Sequence, residues 1–359
     1  MRILFVAPSY YPHVGGVEYV VKSIAERLAK AGHEVSVLAG EAEAEAPREE
    51  EINGVRVVRW PVWSPGGAYH FPRQRGRLEE LVRAEARAAD VIHLHNVHSV
   101  FAIYALRAVA NAGARKILTP YYHGTGHTAL REFLWIPWRV YVKKMLKYIN
   151  IIHTVSKREA KLVEKDFNTK AIPIENGVEE WILNVQWRPE SYVMYSGRIE
   201  KYKNIHRLAN IVKILNQKYK MEIDLRIFGK GPFRDKLEQY LKKLGVPFTL
   251  QDPQPFEKYI EHLSHARIFA LLSEKESYPQ SINEANALGT PAVTAEPWGE
   301  NFAGRTRTLI VSLKQSDEAI ADAIAQFLEK AQKEPRPQVP TWDEVTKRYV
   351  AELYNAPTT

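Results

Sequence analysis

Short apolar runs alternate with stretches of helical apolar spacing along this chain, and that alternation leaves few folds open. Residues 2–7 read as a first strand, 17–31 as a helix closed by Gly32, and 34–39 as a second strand. Further strands are expected at 55–60, 91–95, 116–120, 149–156 and 171–178, and after Ser191 at 192–196, 225–231 and 267–273. Helical patterns open at Asn204 and cover 255–266 and 317–330. A strand that is followed by a helix and then another strand returns to the same end of its sheet, so the pairing is parallel and both faces are covered. The expected fold class is therefore α/β and doubly wound.

A chain of 359 residues is long enough for two such domains, each with its own core. The absence of cysteine excludes disulfides, thiolate metal sites and a cysteine nucleophile together. A net charge of +8 fits nucleic acid, an anionic membrane surface or an anionic substrate, and does not choose among them. The positive charges are scattered among acids and no aromatic-basic motif occurs, so nucleic acid is not an expected partner. No apolar run is long enough to span a bilayer. The first strand is too short to be a signal peptide, which makes the cytoplasm the expected location.

The stretch 273–293, SEKESYPQSINEANALGTPAV, carries the most chemistry. Ser281 and Glu284 have the spacing of a capping box, and Gly289 with Pro291 has the form of a helix end. A strand, a loop and a helix N-terminus in that order present free N–H groups where a phosphate can sit. Glu276 and Glu284 would repel a phosphate, so neutral hydroxyl-bearing rings are their natural partners. Read alone, Glu284 is equally well a capping acid and Glu276 a solvated loop charge.

Other candidates are scattered. Gly15 and Gly16 stand where a strand passes into a helix, without the spacing of a dinucleotide fingerprint, so a tight turn accounts for them equally well. His93 and His95 share one face of a strand, with His98 after it; no further ligand lies nearby in sequence, so lining a pocket is the better reading than zinc. His123 follows the strand at 116–120, with His127 as a second choice. Gly197, Arg198 and Lys203 lie at a strand-to-helix junction, where the guanidinium and the ammonium can neutralise one diphosphate. Residues 41–51 read as a solvated acidic loop. Residues 61–77, with Trp63, Tyr69, Phe71 and three arginines, read either as a phosphate-bearing acceptor's loop or as a disordered one. Residues 130–148 mix tryptophan with lysine as an interfacial helix does, but Pro137 interrupts them, so a packed helix is the favoured reading and membrane contact the alternative.

Glu276–Val293 resembles the signature of family 4 glycosyltransferases, EGFGLPxLEAMACGTPVV, with Ser277 and Pro279 where glycine is common. Gly197, Arg198 and Lys203 are similar to that family's GR…K motif, and 225–231 to its "ivGdGp" run, which places Gly229. The segment around Gly15 and Gly16 is similar to its GGvE opening, and 175–178 to its PNGV run. The resemblance implies a GT-B fold: two Rossmann-like domains at 1–178 and 191–340, a linker at 179–190, and a final helix in 341–359 crossing back to the first domain.

It also implies a retaining hexosyltransferase using a UDP- or GDP-linked sugar. Arg198 and Lys203 would hold the departing diphosphate, Glu276 the sugar and Glu284 the ribose, with Gly197, Gly229, Ser277, Tyr278, Gln280, Ser281 and Ile282 lining the donor. His123 would lie beside the reacting sugar, and Gly15, Gly16, His95 and His123 on the acceptor side. The acceptor is expected to be a glycan or lipid-linked molecule of cell-envelope assembly; for 130–148 the resemblance implies an ordinary packed helix, and peripheral membrane contact is a second reading from its residues alone. No Asp-x-Asp motif occurs, so neither a metal nor any other cofactor is expected. The rivals are an epimerase or phosphorylase on the same fold and a non-catalytic basic binding protein.

Overall fold

The structure is a computed structural model that describes all residues except 14, 68, 125–128 and 357–359, and no side chains at 129–132. The chain forms two compact units, one of Met1–Asn176 with Trp342–Thr359 and one of Gly177–Thr341.

In the first unit, strands β1 (Arg2–Ala7), β2 (Glu34–Glu41), β3 (Arg48–Ile52), β4 (Val55–Trp63), β5 (Phe71–Pro72), β6 (Val91–His95), β7 (Arg115–Thr119), β8 (Ile151–Thr154) and β9 (Ile172–Pro173) form one sheet. Their order is β3-β4-β2-β1-β6-β7-β8-β9, with β5 beside β4. Helices α1 (Gly16–Lys30), α2 (Arg75–Ala88), α3 (Val100–Ala108), α4 (Ala129–Met145) and α5 (Lys157–Phe167) connect the strands. Alternate residues of β1 feed two cores: Leu4 and Val6 pack with Leu94, Phe101 and Leu118, while Ile3 and Phe5 pack with Ile24, Val37 and Trp342. This is the period-two alternation of a strand covered on both faces.

In the second unit, β10 (Tyr192–Ser196), β11 (Asp224–Phe228), β12 (Phe248–Gln251), β13 (Ile268–Leu271), β14 (Ala292–Ala295) and β15 (Thr308–Val311) are all parallel, in the order β12-β11-β10-β13-β14-β15. Its helices are α6 (Ile205–Tyr219), α7 (Arg234–Leu244), α8 (Phe256–His265), α9 (Gln280–Leu288) and α10 (Asp317–Ala331). The last segment, α11 (Trp342–Arg348) and a π-helical turn Tyr349–Tyr354, belongs to the first unit. Trp342, Tyr349 and Leu353 are buried in that unit's core. No helix among the described residues is long and apolar enough to cross a membrane.

Four expectations change. The acidic stretch 41–51 is not simply a solvated loop, because Arg48–Ile52 pairs antiparallel with β4 across a turn at Asn53 and Gly54, both with positive φ. Cross-strand ion pairs hold this edge, with Arg56 on Glu49 and Arg59 on Glu50. The described residues of 61–77 do not form a disordered loop, since β5 folds back on β4 and Trp60 Nε1 donates to Arg73 O at 2.8 Å. Pro137 does not interrupt α4, because it lies on the exposed side, where solvent can satisfy the carbonyl it leaves free. Residues 179–190 are part of the second unit rather than a linker. Trp187 Nε1 and Arg188 N donate to Ala266 O and Ser264 O, and Arg336 donates to Leu183 O.

Candidate active site

The second unit's strand order reverses between β10 and β13, since the chain steps to β11 on one side and β13 lies on the other. The crevice outside the carboxyl ends of two such strands is where open α/β sheets bind ligands. Gly197, Arg198 and Lys203 follow β10, and the Glu276 loop follows β13. Tertiary hydrogen bonds join these two loops: Glu274 N donates to Tyr202 O at 3.0 Å, and Asn204 Nδ2 donates to Leu272 O at 3.0 Å. Trp298 Nε1 donates to Glu274 O at 2.9 Å.

Across this junction Lys203 Nζ meets Glu276 Oε1 at 2.5 Å, with 11% and 19% of the two side chains exposed. Burial pulls the Lys203 ammonium's pKa down, but the Glu276 carboxylate together with Tyr202 and Glu200 outweighs it and holds the value above the usual one. Arg198 is different: its side chain is exposed, pairs with Glu200 at 2.7 Å, and its carbonyl accepts from Tyr195 Oη. One cation is thus preset against a shielded carboxylate, and the other meets its carboxylate in solvent.

Gly197 has φ 148°. Gly229 is explained by packing: a Cβ there would lie 1.9 Å from Gly197 O, so only glycine lets the turns after β10 and β11 touch. Ile282 is fully buried, and its N–H is taken by Pro279 O. Tyr278 is also buried, against Phe302 at 5.3 Å. Ser277 and Ser281 are half-buried beside them.

The capping box expected at Ser281 and Glu284 does not form. Helix α9 starts at Gln280, with Pro279 at the N-cap and no side-chain cap. That start turns Glu284 inward, where it is 4% exposed and accepts from Tyr259 Oη at 2.8 Å. Burial pushes the Glu284 carboxyl up to about 7, against the pull of hydrogen bonds from Tyr259 and Gln280. Gln280 also donates to Gly177 O at 2.8 Å. Gly289 closes the helix at φ 80°, as its sequence position implies. Sequence reasoning missed Tyr259 and Asn204, whose partners are 25 and 68 residues away. No local pattern reveals such pairs.

In the first unit the corresponding reversal falls between β1 and β6. Gly15 is the N-cap of α1 and Gly16 its first residue. Ser9 Oγ donates to Glu18 in that helix's first turn, so a carboxylate already stands at the N-terminus. His95 is 1% exposed, with Tyr121 Oη 3.2 Å from its Nδ1, and burial first and His153 second lower its pKa to about 3. It is a neutral core histidine and does not face solvent. His123 is half-buried and stacks on His98 at 4.6 Å, and His98 lies 4.4 Å from Trp135. His127 lies outside the described residues. Ser156 and Glu159 share the capping-box spacing, and here the serine does cap: Ser156 Oγ accepts from Glu159 N, while the Glu159 carboxylate accepts from Tyr122 N and Val155 N rather than from the N-cap N–H.

Residues 14–180 match the family described as Glycosyltransferase Family 4, and residues 183–338 match Glycosyl transferases group 1. A D-inositol 3-phosphate glycosyltransferase of Corynebacterium urealyticum is 24% identical, over 95% of this chain and 91% of that protein. A GDP-mannose-dependent alpha-mannosyltransferase of Mycobacterium tuberculosis is 22% identical, over 93% and 89%. Among solved structures, sucrose-phosphate synthase of Thermosynechococcus elongatus superposes with a TM-score of 0.73 at 18% identity, covering 99% of this chain and 95% of that one, and so shares the GT-B fold. With two matched regions that between them span nearly the whole sequence, the chain belongs to the family 4, group 1 glycosyltransferases.

Proposed function

We propose that the chain transfers a hexose from a UDP- or GDP-linked sugar to a glycan or lipid-linked acceptor of cell-envelope assembly, with retention of configuration and without a metal. The observation that carries the donor half is the Lys203–Glu276 pair at the switch point of β10 and β13, with buried Glu284 on the helix behind it. A diphosphate at this crevice takes Lys203 from Glu276 and draws in exposed Arg198, so positive charge meets the leaving group as its charge grows. Glu276, freed of its cation, accepts from sugar hydroxyls, and Glu284 accepts from the ribose. Once held there, each such cation is worth about a hundredfold or more in rate.

Retention is supported by the family resemblance, and with no covalent nucleophile placed among the described residues a front-face step fits it better than a double displacement. The acceptor hydroxyl then attacks from the leaving-group face and passes its proton to the departing phosphate, with His123 orienting the sugar. Metal-free transfer is supported by the two cations and by the missing Asp-x-Asp motif. The relative that uses GDP-mannose favours testing GDP first.

Calorimetric titration with GDP, UDP and ADP in EDTA tests the reading. One nucleotide is expected to bind, and the Arg198→Ala, Lys203→Ala double variant is expected to lose it. No binding by any of the three would overturn the donor site.

A further inference from the structure

Helix α4 packs through one face and leaves the other uncovered. Trp135, Val142 and Met145 are buried, whereas Phe133 is 70%, Ile136 55% and Val140 54% exposed. Ile136, Val140, Lys143 and Lys144 stand at helical three- and four-residue spacings and line one side of α4, and exposed Lys147 follows in the 3-10 turn Leu146–Tyr148 that ends it. That side is apolar towards its N-terminal end and basic towards its C-terminal end. No acid occurs between 133 and 148. Among the described residues neither Lys143 nor Lys144 has an acidic partner.

The apolar surface continues beside the helix. A groove of about 420 Å³ lies between α4, α3 and the segment leading into α2, and its lining includes Tyr69, Phe71, Leu134 and Tyr141 together with Arg75 and Arg107. Trp63, 57% exposed, packs at a tilt against Phe71, with ring centroids 5.4 Å apart. Exposed Phe, Ile and Val, a surround of Trp and Tyr, and an outer set of Lys and Arg is the composition of a surface that lies in a bilayer interface. A soluble partner would need acids complementary to those cations and would not need three aliphatic or aromatic tips in water.

We propose that this face of the first unit docks on an anionic lipid bilayer. Phe133, Ile136 and Val140 enter the acyl boundary, Lys143, Lys144 and Lys147 meet lipid phosphates, and the aromatic groove sits at headgroup level. The inference does not rest on the donor reading, because every residue it uses lies in the first unit and none is in the nucleotide site.

The test is co-sedimentation of the full chain with sucrose-loaded vesicles of phosphatidylcholine alone and of phosphatidylcholine with phosphatidylglycerol. Binding is expected to the anionic vesicles and to fall with salt. A Lys143→Gln, Lys144→Gln, Lys147→Gln variant should bind roughly a hundredfold more weakly, since each lysine near an anionic surface contributes about fivefold. A Phe133→Glu, Ile136→Glu, Val140→Glu variant should lose binding while keeping its melting temperature, because all three side chains are exposed. Failure of the wild type to bind anionic vesicles, or binding retained by both variants, would overturn the proposal. So would light scattering that shows a wild-type dimer and an apolar-variant monomer, which would assign the face to a second copy of the chain.

Discussion

Lys203 and Glu276 come from loops 73 residues apart and are each mostly shielded from water, so removing either strands a charge. Lys203→Ala should destabilise the second unit by about 2 kcal/mol or more, and adding Glu276→Gln should recover part of that loss. Denaturant titration of the four members of the cycle measures the coupling, and additive losses would show that the pair is solvated. Glu284 gives a pH signature. Its folded pKa of about 7 lies above the ordinary 4.5, so its protonated form favours folding; that contribution is whole below pH 4.5 and is lost as pH rises through about 7. Glu284→Gln keeps an acceptor for Tyr259 and removes the ionisation. The variant should therefore gain stability relative to wild type above pH 7, yet bind nucleotide roughly tenfold or more weakly if a charged ribose contact is lost. Paired melting curves and titrations at pH 5 and 8 separate the two effects.

Among the elements, α5 and α9 carry opposite lessons about helix starts. Both offer a serine followed three residues later by glutamate, but only Ser156 caps a helix. Ser156 stands outside α5 in an extended conformation, whereas Pro279 presets the start of α9 one residue before Ser281 can act. Ser156→Ala should cost about 1 kcal/mol, measured by chemical denaturation, and Ser281→Ala close to nothing. Gly289 is the reverse case: at φ 80°, with Arg307 Nη1 3.1 Å from where a Cβ would stand, Gly289→Ala should cost about 1 kcal/mol or more.

Across the whole molecule, the returning segment 342–354 completes the first unit's core. Tyr354 Oη lies 3.0 Å from His93 Nδ1, His93 Nε2 2.8 Å from Thr119 Oγ1, and Thr119 Oγ1 2.8 Å from His153 Nδ1. Burial holds His153 at about 4 and His93 and His95 low as well, so all three are neutral in the folded state. Because their folded pKa values lie below the ordinary 6.5, the stability they contribute is present above that pH and is lost as pH falls towards 4. Glu159, pushed by burial to about 8, shifts the opposite way and offsets one of the three. The first unit should therefore melt earlier between pH 6.5 and 4, and His153→Gln should flatten that slope in a thermal scan. A chain ending at Thr341 loses Trp342, Tyr349 and Leu353 from the core and should bind a hydrophobic dye that the full chain does not. The alternation of apolar runs, the cations after β10 and the glutamates after β13 were legible in the sequence because each is a local pattern with a local cause. Gly289 belongs with them, since a helix end is decided by one residue's φ. The burial of His95, the inward turn of Glu284 onto Tyr259, the pairing of Lys203 with Glu276 and the edge strand built from acidic residues were decided only by tertiary structure. Each depends on which distant group arrives opposite, and a linear pattern carries no record of that partner.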